Sequence, residues 1–236
     1  MRPRATDLLL NGSRAESAPA PTAPRRVAES LDQAVGAAAR GRFEQAIYSL
    51  THLNLHFQSV AVELERLGVF LAANGVAVRT ALDVGCGDGA ISVRLQRMLG
   101  LPEIAGVELN RKLAGEARSR GVSVIEADMD AMPVTGTYDL VISYGSLHHS
   151  PDTSRFVRRL RALTSRYVLI VDNTVRATPW HRVTGSAWFP LELSPYPIRS
   201  AGEIEASVRD VLDLVGAVTF RHANIWHDRS FFLAEA

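Results

Sequence analysis

The sequence predicts an α/β protein in which an open and mostly parallel sheet is covered by helices on both faces. From Ala77 onward, short continuous apolar runs alternate with helix-like stretches. Continuous apolar runs are typical of strands buried on both faces, and their alternation with helices indicates a parallel sheet. A turn with glycine at positions 85, 87 and 89 follows the first run. A strand, a tight turn and a helix in this order present backbone N–H groups to a ligand.

The alternation places each element along the chain. Strands are expected near 79–84, 103–108, 122–126, 138–143 and 167–172. Helices are expected near 89–99, 110–119, 153–164 and 202–215. A short polar segment separates two further strand-like stretches, 216–222 and 230–234, and this spacing favours an antiparallel pair.

The pattern divides the chain into a tail, a helical cap and a core. Residues 1–24 are rich in Ala, Pro, Ser and Arg and lack a sustained apolar period, which is typical of a flexible tail. Residues 25–76 carry apolar side chains at helical spacing, which predicts an N-terminal helical cap. Residues 77–236 form the core. Within it, the segment 174–200 is expected to act as a lid over the substrate, because long connections in compact domains are often functional.

Composition excludes several classes of protein. The 236 residues include 26 basic and 25 acidic side chains, for a net charge of +1, whereas nucleic-acid binders carry a basic excess on one face. Cys86 is the one cysteine, so an internal disulfide and a multi-cysteine metal site are excluded. His52 and His56 share one predicted helix face but lack a third ligand, so no metal is predicted. No apolar run is long enough to span a bilayer, and a cytoplasmic location is expected.

Polar side chains stand where the predicted strands end. In an open α/β sheet, ligands bind beyond the carboxyl ends of the strands. Glu108 ends the second strand about 20 residues after Gly87, where an acidic side chain accepts hydrogen bonds from ribose hydroxyls. The other strand exits carry Asp83, Asp128, Met129, Ser143, Tyr144, His148 and His149. Taken alone, the glycine turn also satisfies the loose dinucleotide fingerprint, so a nicotinamide cofactor stays open at this point.

Four segments of the chain, in order, resemble the motifs of class I S-adenosylmethionine-dependent methyltransferases. Residues 82–89 are similar to the first motif, 106–108 to the second, 126–129 to the third and 138–149 to the fourth. The fourth looks most like the small-molecule branch that includes ubiquinone and menaquinone methyltransferases. The resemblance implies a Rossmann-like, seven-stranded sheet whose last strand runs antiparallel, and S-adenosylmethionine as the cofactor.

The resemblance also implies a role for each strand exit. The methionyl part of the cofactor would lie near Asp83 and Gly85, and Glu108 would hold the ribose. Asp128 and Met129 would contact the adenine. The implied cofactor-binding residues further include Gly87, Leu109, Ser143 and Tyr144.

The implied reaction is metal-independent, in-line transfer of the methyl group to a small organic acceptor, in secondary or quinone-like metabolism. Three histidines are candidates for removing a proton from that acceptor, because an imidazole titrates near neutral pH. They are His148 and His149 after the fourth strand, and His181 on the expected lid.

Other functions stay open at this point. The acceptor could be RNA or protein, although residues 143–146 lack the motif used on nucleobase amines and the net charge is near zero. A nicotinamide oxidoreductase is a second alternative, and a catalytically silent S-adenosylmethionine-binding protein is a third. The sequence fixes neither the identity of the acceptor nor the oligomeric state.

Overall fold

The computed structural model describes residues 53–129, 136–175, 196, 198–221 and 228–236, and the side chains of the first helix from Val60 onward. The predicted tail, most of the predicted cap, and most of segment 174–200 with His181 therefore lie outside the described residues. The same holds for His52 and for the side chain of His56.

Helices and strands alternate along the described chain, as the apolar pattern predicts. In order, the elements are α1 (Leu53–Ala73), β1 (Ala81–Val84), α2 (Ala90–Leu99), β2 (Ala105–Glu108), α3 (Arg111–Ser119), β3 (Ser123–Glu126), β4 (Tyr138–Tyr144), a 3₁₀ turn (Leu147–His149), α4 (Thr153–Leu163), β5 (Thr164–Thr174), α5 (Ala201–Arg209), β6 (Asp213–Arg221) and β7 (Asp228–Glu235).

The strands form one seven-stranded sheet in the order β3-β2-β1-β4-β5-β7-β6. Neighbouring strands from β3 to β5 pair in parallel, whereas β7 runs antiparallel to both β5 and β6. The predicted Rossmann-like sheet with an antiparallel last strand is therefore confirmed. The chain leaves β1 toward β2 on one side and later returns to β4 on the other. This reversal opens a crevice at the carboxyl ends of β1 and β4, where ligands bind in such sheets.

Helices cover both faces of the sheet, because alternate residues of each central strand enter different cores. Leu140 and Ile142 of β4 belong to a core that α1 and α2 complete, for example with Leu67. Val141 belongs to the opposite core, to which Phe156 of α4 contributes. All of these side chains are fully buried. The sheet is thus held rigidly from both sides, which fixes the positions of the strand ends.

The end of α1 and the start of α3 are capped by their neighbouring residues. Gly75 follows α1 with a φ of 69°, and the N–H of Val76 donates to the carbonyl of Leu71 at 3.1 Å, as in a glycine-terminated helix. Asn110 precedes α3, and its side-chain oxygen accepts hydrogen bonds from the N–H groups of Lys112 and Leu113.

The helix expected over 202–215 is wrong in its second half. The helix α5 ends at Arg209, and residues 213–215 already belong to β6. Ile204, Val208 and Leu212 continue a helical spacing, and for this reason the sequence predicts a longer helix. In the structure, Asp213 pairs with Glu235 across the antiparallel ladder, and Leu214 pairs with Ala234. Pairing with β7 therefore overrides the local helical pattern.

Of the helices that the structure describes, none combines the length and the hydrophobicity that crossing a bilayer requires.

Candidate active site

The glycine turn lies at the carboxyl end of β1 and approaches its neighbours closely. Gly85 has a φ of 79°, and a Cβ atom built there would lie only 2.6 Å from the Cβ of Ser146. Glycine is therefore required at position 85 both for the backbone conformation and for packing. Gly87 also has a positive φ, of 55°, but a Cβ atom there would meet none of the described residues within 4 Å. Within the described part of the chain, a ligand can therefore reach the backbone of the turn at Gly87.

Hydrogen bonds tie the glycine turn to the end of β2. The N–H groups of Gly85 and Cys86 both donate to the carbonyl of Val107, at 2.8 and 2.9 Å. Burial, together with the charges of Asp83 and Glu108, raises the pKa of the Cys86 thiol to about 12. The thiol therefore stays protonated at neutral pH, which makes it a packing group and a poor nucleophile.

Glu108 ends β2 with its carboxylate against the turn. One carboxylate oxygen accepts the N–H of Gly87 at 2.9 Å, and the other accepts the N–H of Asn110 at 2.7 Å. A carboxylate has about four lone-pair sites. These two bonds therefore orient the group and leave it able to accept further hydrogen bonds. The next side chain, Leu109, is large, apolar and 68% exposed. An oriented carboxylate beside an exposed apolar surface suits a ribose that is joined to a flat base.

Asp83 carries a buried carboxylate with an unused oxygen. Its Oδ2 accepts the hydroxyl of Ser92 at 2.6 Å. Its Oδ1 is buried and has no hydrogen-bond partner in the part of the chain that the structure describes. Burial and the charge of Glu108 raise its pKa to about 6, against the hydrogen bond from Ser92, which lowers it. A buried carboxylate oxygen without a partner is costly, and a donor on a ligand would satisfy it.

The residues after β3 lie on the outer part of the same sheet edge. Asp128 is exposed, and Met129 is partly buried against the core that contains Leu82. The predicted contact of both residues with adenine stays a prediction. Residues 130–135 lie outside the described residues.

At the end of β4, two serines join this strand to β1. Ser143 is fully buried, and its hydroxyl lies 2.8 Å from that of Ser146. The Ser146 hydroxyl donates to the carbonyl of Val84 at 2.6 Å. These bonds hold the mouth of the crevice between the two strands.

Tyr144 belongs to a buried polar cluster that contains Glu63 of α1 and Arg229 of β7. The tyrosine hydroxyl donates to the Glu63 carboxylate, and the Nε of Arg229 donates to the same oxygen at 2.7 Å. A further Arg229 nitrogen donates to Asn173 at 3.0 Å, and the guanidinium lies 4.8 Å from the centroid of the Tyr144 ring. The predicted cofactor-binding role of Tyr144 stays a prediction. Its hydroxyl is hydrogen-bonded to Glu63 of α1.

Electrostatics hold this cluster in one charge state. Burial alone would lower the pKa of Arg229, but Glu63, Tyr144 and Asp172 outweigh it and raise the pKa above its usual value. Burial raises the pKa of Tyr144 as well, and Glu63 adds to this rise while Arg229 opposes it. The arginine is therefore charged and the tyrosine is neutral at neutral pH.

His148 and Asp172 form a second buried pair at the same edge. The Nδ1 atom of His148 lies 2.7 Å from Oδ1 of Asp172, and the backbone N–H of His148 donates to Oδ2 at 3.2 Å. Burial alone would raise the pKa of Asp172, but attraction and hydrogen bonding by His148, with Arg229 and the N–H of Asn173, hold it below its usual value. The neighbouring ring of His149 is half-buried, and its centroid lies 4.3 Å from that of His148.

The structure therefore brings together most of the predicted residues on one sheet edge and adds others. Sequence reasoning missed Asp172, Glu63, Arg229 and Ser92. The sequence did indicate Asp172, because this residue directly follows the most apolar run, Val168-Leu169-Ile170-Val171. It indicated Glu63 more weakly, since Glu63 lies on the buried side of α1 with Val60 and Leu67. It gave no signal for Arg229, because this residue is the second residue of an antiparallel strand.

Comparison with known proteins identifies the domain. Residues 81–166 match the family described as "Methyltransferase domain". Uncharacterized methyltransferases from Mycobacterium bovis and Mycobacterium tuberculosis are 29% identical over 138 residues, which is 54% of this chain. The matched stretch spans 64% of the length of these relatives. A malonyl-[acyl-carrier protein] O-methyltransferase from Legionella pneumophila is 33% identical over 91 residues, covering 36% of this chain and 32% of that protein.

Solved structures share the fold. The magnesium protoporphyrin IX methyltransferase from Synechocystis PCC 6803, solved with bound SAH, aligns with a TM-score of 0.61 at 16% identity and covers 88% of this chain and 99% of its own. The geranyl diphosphate C-methyltransferase from Streptomyces coelicolor A3(2) aligns with a TM-score of 0.57 at 15% identity, covering 84% and 86%. The matched domain and the shared fold coincide with the motifs of residues 82–149, so these residues form the core of a methyltransferase domain of the class I, S-adenosylmethionine-dependent type.

Proposed function

We propose that this protein transfers a methyl group from S-adenosylmethionine to a small organic acceptor without a metal ion. The observation that carries the proposal is the buried Oδ1 of Asp83, which has no hydrogen-bond partner among the described residues, at the same sheet edge as Gly87, where a Cβ atom would meet none of the described residues within 4 Å. A cationic donor group from a ligand in this crevice would satisfy the carboxylate, and the open backbone leaves room for it.

The residues of the crevice fit the cofactor. Asp83 and Gly85 would hold its methionyl part, and Glu108 would accept hydrogen bonds from its ribose. The exposed side chain of Leu109 would lie against the adenine, with Asp128 and Met129 beyond it. When bound, the cofactor supplies a methyl group on a positively charged sulfur, ready for displacement. The protein then contributes mainly orientation, which is worth about 7–11 kcal/mol of a reaction barrier.

The acceptor would enter at the ends of β4 and β5, where His148 lies. Two structural neighbours support a small acceptor, since their names specify magnesium protoporphyrin IX and geranyl diphosphate. Four further points stay predictions. They are a role in secondary or quinone-like metabolism, a lid formed by residues 174–200 with His181, membership of the quinone-methyltransferase branch, and a cytoplasmic location. The absence of a nucleic-acid substrate also stays a prediction.

Calorimetry would test the first half of the proposal. The purified chain is expected to bind S-adenosylmethionine and its demethylated product, S-adenosylhomocysteine, at micromolar concentration. Absence of binding at several hundred micromolar would refute the proposal. Binding without transfer to any small molecule would instead favour a silent binding protein or a macromolecular acceptor.

Glu108 provides a sharper test of the cofactor site. We expect Glu108→Ala to weaken affinity for S-adenosylhomocysteine at least tenfold, because hydrogen bonds to a charged group contribute about 1.5–3 kcal/mol each. Calorimetry would measure it, with thermal unfolding as a check on the turn, since Glu108 also holds the N–H of Gly87. Glu103→Ala is the matched control, because Glu103 is exposed just before the amino end of the same strand. Equal affinities for the two variants would remove Glu108 from the ribose site.

A further inference from the structure

We propose that Arg199 determines the acceptor specificity of this protein by binding a carboxylate group on the acceptor. Thr153 binds the same carboxylate through its hydroxyl. The inference deepens the proposed function and rests on it, because it names a chemical feature of the acceptor. This carboxylate is a recognition group and is distinct from the atom that receives the methyl group.

Arg199 lies where the carboxyl ends of β4 and β5 meet. Its backbone carbonyl accepts the N–H of Val175 at 3.0 Å, directly after the end of β5. One nitrogen of its guanidinium, Nη2, donates to the carbonyls of Ser150 and Pro151 at 2.9 and 3.1 Å, directly after the 3₁₀ turn that follows β4. The backbone and the side chain of Arg199 are therefore both fixed at the sheet edge where the acceptor would enter.

Two donors at this position lack an acceptor in the part of the chain that the structure describes. The Nη1 atom of Arg199 is buried and has no hydrogen-bond partner there, and the same holds for the Oγ1 atom of Thr153. Thr153 is 6% exposed and follows Pro151 by two residues. A guanidinium has five N–H donors, so the bonds of Nη2 leave those of Nη1 unused. Buried donors without acceptors cost free energy, and an acceptor on a ligand would remove this cost.

The chemistry of these donors selects an anion. A guanidinium is charged at neutral pH, and its hydrogen bonds to a carboxylate are about twice as strong as those between neutral groups. Thr153 is the first residue of α4, a helix of 11 residues, whose N-terminal N–H groups add a partial positive charge. Because the side chain of Arg199 is only half-buried, a ligand can approach it from solvent.

The nearest acidic side chains cap helices and leave these donors unpaired. Oδ1 of Asp152 accepts a backbone N–H of α4 at 2.9 Å, and Oε2 of Glu203 accepts the N–H of the N-cap residue of α5 at 2.7 Å. Both side chains are exposed, and neither supplies an acceptor to Nη1 of Arg199. Their negative charges disfavour a doubly charged phosphate at this place more than a singly charged carboxylate. A carboxylate is therefore the anion that fits the site.

Urea-induced unfolding with small carboxylates would test the site without turnover. The full-length protein would be saturated with S-adenosylhomocysteine, and sodium acetate or sodium benzoate would replace sodium chloride at the same ionic strength. A ligand that binds only the folded state raises the midpoint of unfolding. We expect both carboxylates to raise the midpoint of the wild type and to leave that of Arg199→Gln unchanged. Arg155→Gln, which removes an exposed positive charge from α4, is the matched control and should respond like the wild type.

Methyl transfer would test the specificity. The probes would be aromatic and aliphatic hydroxy acids and their primary amides, with a labelled methyl group as the readout. We expect kcat/KM to be at least about tenfold higher for each acid than for its amide. Arg199→Gln should raise KM for the acids by about tenfold or more and change KM for the amides little, and Arg199→Lys should recover part of the loss. A merely structural role of Arg199 would affect acids and amides alike.

Two results would overturn the inference. One is an equal response of the wild type and Arg199→Gln when acetate or benzoate replaces chloride, and the other is transfer to the amides as efficient as transfer to the acids. A failure of the proposed function is distinct, because the wild type would then not bind S-adenosylhomocysteine at all. Should Arg199→Gln fold poorly, Thr153→Val supplies the same comparison, since it removes one donor and keeps the shape of the side chain.

Discussion

Replacing Arg229 by methionine is expected to lower the free energy of unfolding by about 3–5 kcal/mol. The guanidinium is 6% exposed and donates to Glu63 at 2.7 Å, and Glu63 is 2% exposed. Without the arginine, the Glu63 carboxylate would remain buried beside Tyr144 and would lose this ion pair. A loss of this size exceeds what most single substitutions cause. Urea-induced unfolding at neutral pH would measure it.

The matched control is Arg209→Met, which breaks the exposed bridge to Glu205 at 2.8 Å within α5. Exposed bridges contribute about 0–1 kcal/mol, so that variant should unfold close to the wild type. A double variant, Glu63→Gln with Arg229→Met, should recover much of the loss. It removes both buried charges and leaves an oxygen for the Tyr144 hydroxyl. If Arg229→Met is as stable as Arg209→Met, the buried pair contributes little to the fold.

The second large effect concerns Asp83. Burial raises its pKa in the folded protein from 3.8 to about 6, so between these values the native state binds more protons than the unfolded state. The free energy of unfolding should therefore fall as the pH rises through this window. Since each pKa unit corresponds to about 1.4 kcal/mol, the contribution lost by neutral pH is about 3 kcal/mol. Asp83→Asn removes this titration, so its stability relative to the wild type should increase by that amount between about pH 4 and pH 7.

The same substitution should impair the cofactor site. Because a cationic group facing Oδ1 favours the ionised carboxylate, the affinity of the wild type for S-adenosylhomocysteine should weaken as the pH falls below about 6. Asp83→Asn should bind at least tenfold more weakly at neutral pH and show a flatter pH dependence. Denaturant titrations and calorimetry across the pH range would check both effects. Asp213→Asn, at an exposed position in β6, is the control. A parallel pH dependence of stability in wild type and Asp83→Asn would refute the account.

The positions of the proposed cofactor-binding residues could be predicted from sequence because each of them lies in a local motif. Glu108 and Asp83 stand at or next to the end of an apolar strand, and parallel strands end at one edge of the sheet. Once the alternation of strands and helices is recognised, reading each strand exit finds these residues in order. The glycine turn is local as well. Gly85 and Gly87 have positive φ angles, and glycine at these positions already indicates such angles in the sequence.

The acceptor side could not be predicted in the same way. The Glu63–Arg229 pair connects a helix before the sheet to a strand that runs against it, and no local pattern links two such positions. Asp172 could have been predicted, because it lies at the end of the fifth strand, where the rule that polar residues at strand ends form the site also applies. The length of α5 was misjudged for a related reason, since only the pairing of Asp213 with Glu235 shows that β6 has begun. Contacts distant in sequence therefore decided the Glu63–Arg229 pair and the length of α5.

The pair formed by Glu63 and Arg229 spans 166 positions of sequence, and β7 inserts between two strands that are synthesised before it. During translation, α1 and the first five strands therefore emerge from the ribosome long before their partner on β7 exists. The strands that carry Asp83 and Glu108 can therefore pair before β7 exists, whereas the bond between Glu63 and Arg229 forms only after β7 has been synthesised. Fastening of α1 to the sheet through Arg229 is thus a late step in the assembly of this domain.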